Sequence, residues 1–493
     1  MPIEAALTAS TFPISSPSVE QQSRNGDAPS RPCFPAPSDT AAIACDMERP
    51  HVVRYLNCTS NKPLHLGHLR NLVLGDATVG VLQALGGRAV RHCIGEDTGR
   101  FMAEAMVAIR LAEARGESIP APGSKSDHFV GECYARYRKE RSATATGSTA
   151  EGGASATTNY DGRNDDADEM MRALLREEPA ACALRDRVKR MASTGQQSTL
   201  RRLGVAFDYC DFESAEDSRM PDFLVRCRQL GLLQPGEDGS LAWVSPSGDR
   251  LRLINKSGFC EESARLLSFN ARIAASPAGA FRTIVFAGSE WKASMQLYAE
   301  FLDAFGTGLA NNYLPTFYGM VLLGGKKMAS STGTGVLVDD LIDEVARDPR
   351  IGELTSKCGN RASAADLSVL IVRAFLLSAP RTDPVEFTFE RLTDPATNPG
   401  WVIAKACAGI PARGISQCSS ASRLALDDAL ARRSYEEPIE TLHRLATRFL
   451  DLEGSKEQEA DFRSVLTALS LLSKPNRFVF EETPSFLTAQ GRC

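Results

Sequence analysis

The sequence predicts an α/β protein whose main domain is a doubly wound parallel sheet, followed by a helical C-terminal domain. A strand, loop, helix and strand pattern begins near residue 51, and short strands and helices continue to alternate to about residue 345. Alternation of this kind is typical of parallel sheets covered by helices. After about residue 390 the apolar residues follow helical spacing only, as expected for a separate bundle.

Length and composition limit the possible classes of protein. With 493 residues the chain is too long for one hydrophobic core, so we expect two folded domains and appendages. No apolar run is long enough to cross a membrane, so we expect no membrane partner. The 13 cysteines include no CxxC pair, which predicts no metal site and favours a reducing, cytoplasmic location. A net charge of −5 argues against a protein that coats nucleic acid, although a local basic face could still dock one RNA.

Two segments have the composition of disordered chain. Residues 1–48 are rich in Ser, Pro, Ala and Thr and have no hydrophobic period, which predicts a disordered N-terminal tail. Residues 142–168 form a second low-complexity stretch, which we expect to be a solvent-exposed insertion. The chain therefore divides into this tail, a main domain over residues 49–390 that contains the insertion, and a helical domain over residues 391–493.

The first strand, helix and strand indicate where a ligand binds. VVRYLN after His51 is typical of a strand, and a polar turn follows as far as Pro63. LGHLRNLVLGDATVGVLQALG then has helical spacing and ends at Gly86 and Gly87, and AVRHCIG is the second strand. In doubly wound, Rossmann-like sheets, ligands bind at the carboxyl ends of the strands. We therefore expect a ligand at the loop before this helix.

Histidines concentrate at the same loop. The chain has six histidines, four of which lie between residues 51 and 92, and His65 and His68 stand three residues apart in PLHLGH. This spacing places both rings on one face of the first helical turn, where Gly67 lets a ligand approach and the helix N-terminus favours an anion. From this motif alone, a phosphate site and a pair of surface histidines are equally good interpretations.

A second candidate lies at the far end of the α/β region. GGKKMASSTG at residues 324–333 is a loop of small residues that carries Lys326 and Lys327. Such a loop can close over phosphates as a cationic flap. Taken alone, it is only a glycine-rich turn.

Together these motifs resemble those of arginyl-tRNA synthetases, a family of class I synthetases. NKPLHLGHLRN resembles the family's HIGH motif, and KMASSTGTGVLVDDL resembles its KMSKS loop, in the family's order and separation. RRLGVAFDYCDFES, GSE at residues 288–290 and FYGMVLL resemble further segments of the family's catalytic domain. The likeness covers about residues 50–345 and, more weakly, NPGWVIAKACAGIPAR at the start of the helical region.

The resemblance implies a class I catalytic domain that activates an amino acid with ATP and transfers it to tRNA. The expected type is an arginine–tRNA ligase, with Mg²⁺ arriving with ATP and no dedicated protein site for the metal. It implies that His65, His68 and Lys327 are catalytic, because they would contact the phosphates and the developing charge. The residues that it implies for ATP binding are Gly67, Lys62, Gly288, Glu290, Lys326, Met328 and Ser330.

The expected amino-acid pocket departs from the family's pattern. Arg54 stands where the family usually has an acidic residue and Thr59 where it has an asparagine, while Glu262 and Leu266 replace a tyrosine and an aspartate. An arginine substrate needs a carboxylate partner, because an unpaired buried cation costs about 3 to 5 kcal/mol. Either Glu261 or Glu262 takes the place of the family's carboxylates, or the substrate is another amino acid. The candidate pocket residues are Arg54, Thr59, Asp97, Glu262, Leu266 and Trp291; a polar turn at Asp97 and core packing at Trp291 are the structural alternatives.

Recognition of tRNA is expected to be reduced. The helical region of about 100 residues is short for a full anticodon-binding bundle, and the tail offers no counterpart of the family's N-terminal tRNA domain. We expect a monomer. Two alternatives to the arginine enzyme are a paralogue that activates another amino acid for a tRNA-dependent biosynthetic pathway and a non-catalytic nucleotide- or RNA-binding protein on the same fold.

Overall fold

The protein is known from a computed structural model. It describes residues 51–84, 88–123, 125–144, 166–275, 282–307, 313–327, 335–358 and 362–408. The predicted tail, most of the predicted insertion and the helical segments expected after residue 408 lie outside the described residues, so the domain boundaries stay predictions. None of the helices within these ranges is long and apolar enough to span a membrane.

Strands and helices alternate through the described chain as the sequence predicts. The strands are β1 (His51–Thr59), β2 (Ala89–Glu96), β3 (Tyr209–Phe212), β4 (Gln234–Pro235), β5 (Leu241–Val244), β6 (Arg250–Ile254), β7 (Arg282–Gly288), β8 (Tyr313–Tyr318), β9 (Val321–Leu323), β10 (Lys326–Lys327) and β11 (Val385–Phe387). The helices are α1 (Leu66–Ala84), α2 (Gly99–Ala114), α3 (Ser126–Thr144), α4 (Asp166–Leu175), α5 (Pro179–Arg202), α6 (Ser214–Asp217), α7 (Met220–Gln229), α8 (Glu262–Ala275), α9 (Lys292–Ala304), α10 (Val338–Ala346), α11 (Pro349–Cys358), α12 (Ala364–Leu377), α13 (Phe389–Thr393) and α14 (Pro399–Ala408).

The central sheet has five parallel strands in the order β3-β2-β1-β7-β8. The chain moves outward from β1 to β2 and β3, and then returns to the other side of β1 with β7 and β8. Parallel sheets of this order have a crevice at the carboxyl ends of the two strands where the direction reverses. The prediction of a doubly wound, Rossmann-like sheet is confirmed, and the crevice lies between the ends of β1 and β7.

Helix α1 packs closely on one face of the sheet. A Cβ atom on Gly75 would lie 2.1 Å from the ring of Tyr55, so the helix can approach β1 this closely only with glycine there. The sheet face that α1 covers shares one core with α10, α11, α12 and α14, and Trp401 of α14 is buried in it. A second core lies beneath α7, α8 and α9, and a third fills the inserted helices α2 to α5.

Arg70 of α1 is fully buried and fixes this helix against the chain that follows β8. Its guanidinium donates hydrogen bonds to five backbone carbonyls, which belong to Gly319, Leu376, Pro380, Arg381 and Asp383. Burial lowers the pKa of Arg70 to about 10, and the group therefore stays charged at neutral pH. One cation thus supplies hydrogen-bond donors to several backbone carbonyls, which no apolar side chain could do.

Replacement of Arg70 by leucine is expected to destabilise the protein by about 3 kcal/mol or more, because buried carbonyls lose a charged donor. The measurement is the urea midpoint of unfolding followed by circular dichroism. Arg110→Leu, on the exposed face of α2, is the matched control and should change the midpoint little. Equal, small shifts for the two variants would contradict the role given to Arg70.

Candidate active site

The turn that carries both histidines is joined to the segment before α10 by backbone pairing. His65 forms an antiparallel bridge with Leu337. The Leu66 N–H donates to the Val336 carbonyl at 2.9 Å, and the Val338 N–H donates to the Leu64 carbonyl at 3.1 Å. This pairing brings the two motifs, which are about 260 residues apart in the sequence, together at the carboxyl ends of the strands.

His65 and His68 lie with stacked rings whose centroids are 3.8 Å apart. The Gly67 N–H donates to Nδ1 of His65 at 3.2 Å, and the His65 N–H donates to Nδ1 of His68 at 3.3 Å. Because each Nδ1 accepts a hydrogen bond, the ring proton of a neutral imidazole is assigned to Nε2. Nε2 of His65 is buried and has no hydrogen-bond partner among the described residues, so it is available to donate to an acceptor.

Both rings are neutral at physiological pH. Burial, helped by the nearby Lys62 cation, lowers the pKa of His65 to about 3. Burial and the neighbouring His65 hold the pKa of His68 well below its ordinary value. The turn therefore offers neutral N–H donors, while Lys62 and the N-terminus of α1 supply positive charge.

The histidine turn is held from behind by Gln196 of α5. Its side-chain amide donates to the carbonyls of Thr59 at 3.0 Å and Lys62 at 2.8 Å, and the residue is buried. The hydroxyl of Thr59 is buried and has no hydrogen-bond partner among the described residues. The sequence did not indicate Gln196; a glutamine on the buried side of a helix was the only available signal.

Gly288 and Glu290 lie at the end of β7, on the other side of the crevice. A 3₁₀ turn, Ser289–Trp291, follows Gly288, and a Cβ at this glycine would lie 2.3 Å from the Glu290 carboxylate. Glycine is therefore required for the Glu290 side chain to fold back over the strand end. Trp291 is half-buried and packs against the core beneath α9, as its structural alternative proposed.

The lysine loop is described only in part. β10 pairs with β9 through Lys326 opposite Leu323, and the Gly325 N–H donates to the Glu386 carboxylate at 2.8 Å. No side-chain position is described for Lys326 or Lys327. Met328 and Ser330 lie outside the described residues, so their roles, like that of Lys327, stay predictions.

Arg54 lies in the middle of β1, away from the ends of the strands. It is 3% exposed and donates to Nδ1 of His92 at 3.1 Å and to the Asn270 amide oxygen at 2.8 Å. His92 in turn contacts the Asp211 carboxylate at 2.9 Å, and the Arg54 guanidinium lies 4.8 Å from the centre of the Phe269 ring. Arg54 is thus engaged inside the sheet.

Asp97 directly follows β2 and is fully buried. Its carboxylate accepts a hydrogen bond from the Lys189 ammonium at 2.7 Å and two from the backbone N–H and the hydroxyl of Ser214, at 2.9 and 2.6 Å. With these donors the carboxylate is already engaged. The structural alternative, a polar residue that fixes a strand end, describes its contacts better than the amino-acid pocket does.

Three glutamates gather where β2, β3 and α8 meet. Glu96 ends β2, Glu213 follows β3, and Glu262 begins α8. Burial and the Glu262 charge raise the pKa of Glu96 to about 8, and burial with both neighbours raises the pKa of Glu213 well above its usual range. Burial likewise raises the pKa of Glu262. We call Glu96, Glu213 and Glu262 the carboxylate cluster.

One oxygen of the carboxylate cluster has no donor. Glu213 is 6% exposed, and its Oε1 atom has no hydrogen-bond partner among the described residues. Beside it, Glu213 and Leu266 help to line a small cavity of about 10 Å³. Tyr298 of α9 is buried next to the cluster, and its pKa is raised by burial and by the Glu262 charge. Of this group the sequence singled out only Glu262 and Leu266.

Arg265 lies close enough to the carboxylate cluster for its charge to lower the pKa of Glu213 and Glu262, against the larger effect of burial. Its guanidinium donates to the Asp217 carboxylate at 2.8 Å and to the Cys260 carbonyl at 3.0 Å. Asp217 is thus the carboxylate that pairs with Arg265.

A doubly wound sheet with a helix N-terminus beside the switch point of its strands is an arrangement that favours an anionic ligand there. Residues 38–367 match the family model described as tRNA synthetases class I (R), catalytic domain. This match covers more than half of the chain, and the chain therefore belongs to this family.

Curated relatives place the similarity within the class. The chain is 29% identical over 303 residues to an arginine–tRNA ligase of Bacteroides thetaiotaomicron, which covers 60% of the chain and 49% of the relative. It is 28% identical over 313 residues to one from Bacteroides fragilis, with 62% of the chain and 51% of the relative covered. The chain thus spans about half the length of the curated relatives it matches.

Solved structures share the fold. An arginyl-tRNA synthetase from Thermus thermophilus superposes with a TM-score of 0.56 at 19% identity and covers 96% of this chain and 83% of its own. An arginyl-tRNA synthetase from Plasmodium falciparum gives the same TM-score at 14% identity, with 86% and 74% covered. At these identities the likeness supports the fold alone.

Substitution of His65 by glutamine is expected to weaken the loss of stability in acid. The folded pKa of about 3 lies below the unfolded value of about 6.5, so the unfolded chain binds more protons between these values and stability falls as pH is lowered. Between pH 7 and pH 5 this ring accounts for at most about 2 kcal/mol, which His65→Gln should remove. The measurement is urea unfolding at both pH values.

His128→Gln is the control for this experiment. The adjacent Asp339 carboxylate raises the pKa of His128, so this ring contributes stability below pH 6.5 that is lost as pH rises through its folded pKa. Its replacement should therefore increase the acid loss. A change of the same sign for both variants would contradict the assignment of His65 as a neutral, buried donor.

Proposed function

We propose that the protein is an arginine-activating ligase: it joins arginine to the α-phosphate of ATP, releases pyrophosphate and transfers the arginyl group to a tRNA. The observation that carries the arginine assignment is the carboxylate cluster at the end of β2 and β3. Three clustered glutamates with raised pKa values, of which Glu213 is buried, favour a cationic guest, since a guanidinium would relieve their mutual repulsion and pair with the donor-free oxygen of Glu213. This cluster supplies the carboxylates that the sequence comparison found missing.

The histidine turn supports the nucleotide part of the proposal. Neutral His65 and His68 would donate from Nε2 to phosphate oxygens, while Lys62 and the α1 N-terminus would offset their negative charge. Gly288 and Glu290, across the crevice, would hold the nucleoside. Lys327, with Lys326 beside it, would stabilise the leaving pyrophosphate. Mg²⁺ would enter with ATP and neutralise the phosphates, and no protein ligand is assigned to it.

Positioning would account for most of the rate, because in-line transfer at phosphorus needs little covalent chemistry from the protein. The 64–66 and 336–338 pairing would fix the approach of the lysine loop to the phosphates. Gln196 would keep the histidine turn in place from the α5 side. We further propose that the protein acts as a monomer in the cytoplasm and binds tRNA.

Exchange of pyrophosphate into ATP tests the activity. The assay takes each of the twenty amino acids separately, with and without total tRNA, and compares wild type with His68→Ala. We expect stimulation by arginine and a fall of about 100-fold in His68→Ala, because one preorganised donor to the reacting phosphate is lost. Arg110→Ala on the exposed face of α2 should retain wild-type exchange. Exchange with a different amino acid would establish the paralogue, and none with any amino acid would favour the binding protein.

Replacement of Glu262 by glutamine tests the pocket. We expect the KM for arginine to rise by about 30-fold, which corresponds to roughly 2 kcal/mol for a lost charged partner, while the KM for ATP stays within a factor of about two. Glu261→Gln is the matched control, since that carboxylate, one residue before α8, is already paired with Arg252 at 2.7 Å. Similar KM values for arginine in the two variants would remove Glu262 from the pocket.

A further inference from the structure

Two cysteines face each other across neighbouring strands near the edge of the central sheet. Cys93 of β2 and Cys210 of β3 are direct register partners, and their sulfur atoms lie 2.8 Å apart. Neighbouring strands are separated by about 4.8 Å, which lies within the span of about 4.4 to 6.8 Å between the Cα atoms of a disulfide. The two thiols could therefore be bonded without moving the backbone of either strand far.

The two thiols differ in exposure and in acidity. Cys210 lies on the edge strand and is exposed, whereas Cys93 is 3% exposed. The hydrogen bond from Cys93 lowers the pKa of Cys210 and outweighs burial and the Asp211 charge, which both raise it. The same contact raises the pKa of Cys93. The pair thus combines an accessible, acidic thiol with a buried partner in contact with it, an arrangement suited to oxidation.

We propose that Cys93 and Cys210 form a reversible oxidation site that converts a hydroperoxide to water and closes a disulfide between β2 and β3. The Cys210 thiolate attacks one oxygen of hydrogen peroxide, an S–O bond forms, the O–O bond breaks, and the other oxygen leaves as hydroxide and takes up the proton that the Cys210 thiol released. The Cys93 sulfur then attacks the Cys210 sulfur, the S–S bond forms, the S–O bond breaks, and hydroxide leaves with the proton of Cys93. Two thiols lose two electrons, and hydrogen peroxide becomes two molecules of water.

The site lies on the same two strands as the carboxylate cluster. Cys93 stands three residues before Glu96, and Cys210 stands three residues before Glu213. At a rise of about 3.3 Å per residue, three residues span about 10 Å along a strand. A bond between the sulfur atoms would therefore join β2 to β3 about 10 Å from Glu96 and Glu213. The oxidation itself does not depend on which substrate the protein activates.

Peptide mapping of the full-length protein tests the proposal. The protein is treated with a small excess of hydrogen peroxide, free thiols are blocked with iodoacetamide, and the digest is examined by mass spectrometry. We expect a peptide pair joined through Cys93 and Cys210, lighter by two hydrogen atoms than the separate thiol peptides, that is lost after dithiothreitol. Cys182→Ser, which replaces a half-buried thiol on α5, should form the same pair.

Trapping of the sulfenic acid tests the order of the two steps. In Cys93→Ser, Cys210 should stop at the sulfenic acid and become labelled by dimedone, whereas wild type should lose this label as the disulfide closes. Circular dichroism of the variant establishes that it is folded. The peptide map of the wild-type protein tests the disulfide independently of this variant. A link from Cys58 to either residue, equal dimedone labelling in both proteins, or oxidation of Cys210 to the sulfinic acid in wild type without a link would overturn the proposal.

Discussion

The backbone pairing between residues 64–66 and 336–338 is the constraint on which the arrangement of the site depends. It joins the turn before α1 to the segment that leads into α10, so the first and last parts of the α/β region meet at the carboxyl ends of the strands. Asp339, one residue further, accepts hydrogen bonds from Thr199 and Arg202 of α5 at 2.6 Å. It also pairs with Lys125, the residue before α3. The inserted helices are thereby fixed to the same end of the sheet, and Gln196 of α5 holds the histidine turn in place.

Opposite charges in this region are kept apart by the geometry of the strands. Arg54 contacts His92 in the middle of β2, while Glu96 ends that strand four residues later, roughly 13 Å away at about 3.3 Å per residue. The Arg54 cation is held by His92, Asn270 and the Phe269 ring, and its interaction with the carboxylate cluster is correspondingly weak. The repulsion between Arg54 and an arginine bound at the carboxylate cluster would therefore be weak as well.

The sequence predicted the fold and the histidine turn well because both leave local signals. The alternation of strands and helices, the histidine pair and Gly67 are readable from short windows of sequence. Glu96 and Glu213 were not predicted as site residues, because their proximity depends on the pairing of β2 with β3, whose partners lie about 117 residues apart. Gln196, Tyr298 and the partner of Arg265 were missed for the same reason. Such contacts are set by topology, and no local spacing encodes them.

In the proposed pocket, the carboxylate cluster would also select the charge of the guest. Carboxylates with raised pKa values keep protons that ordinary surface glutamates would release at neutral pH. A cationic side chain that enters must displace those protons, and the ion pairs it forms must exceed the cost of ionising buried groups. A neutral or anionic side chain of the same shape would leave the cluster protonated and gain no ion pair. In the proposed pocket, discrimination by charge would therefore follow from the raised pKa values of three glutamates at the ends of β2 and β3 and the start of α8.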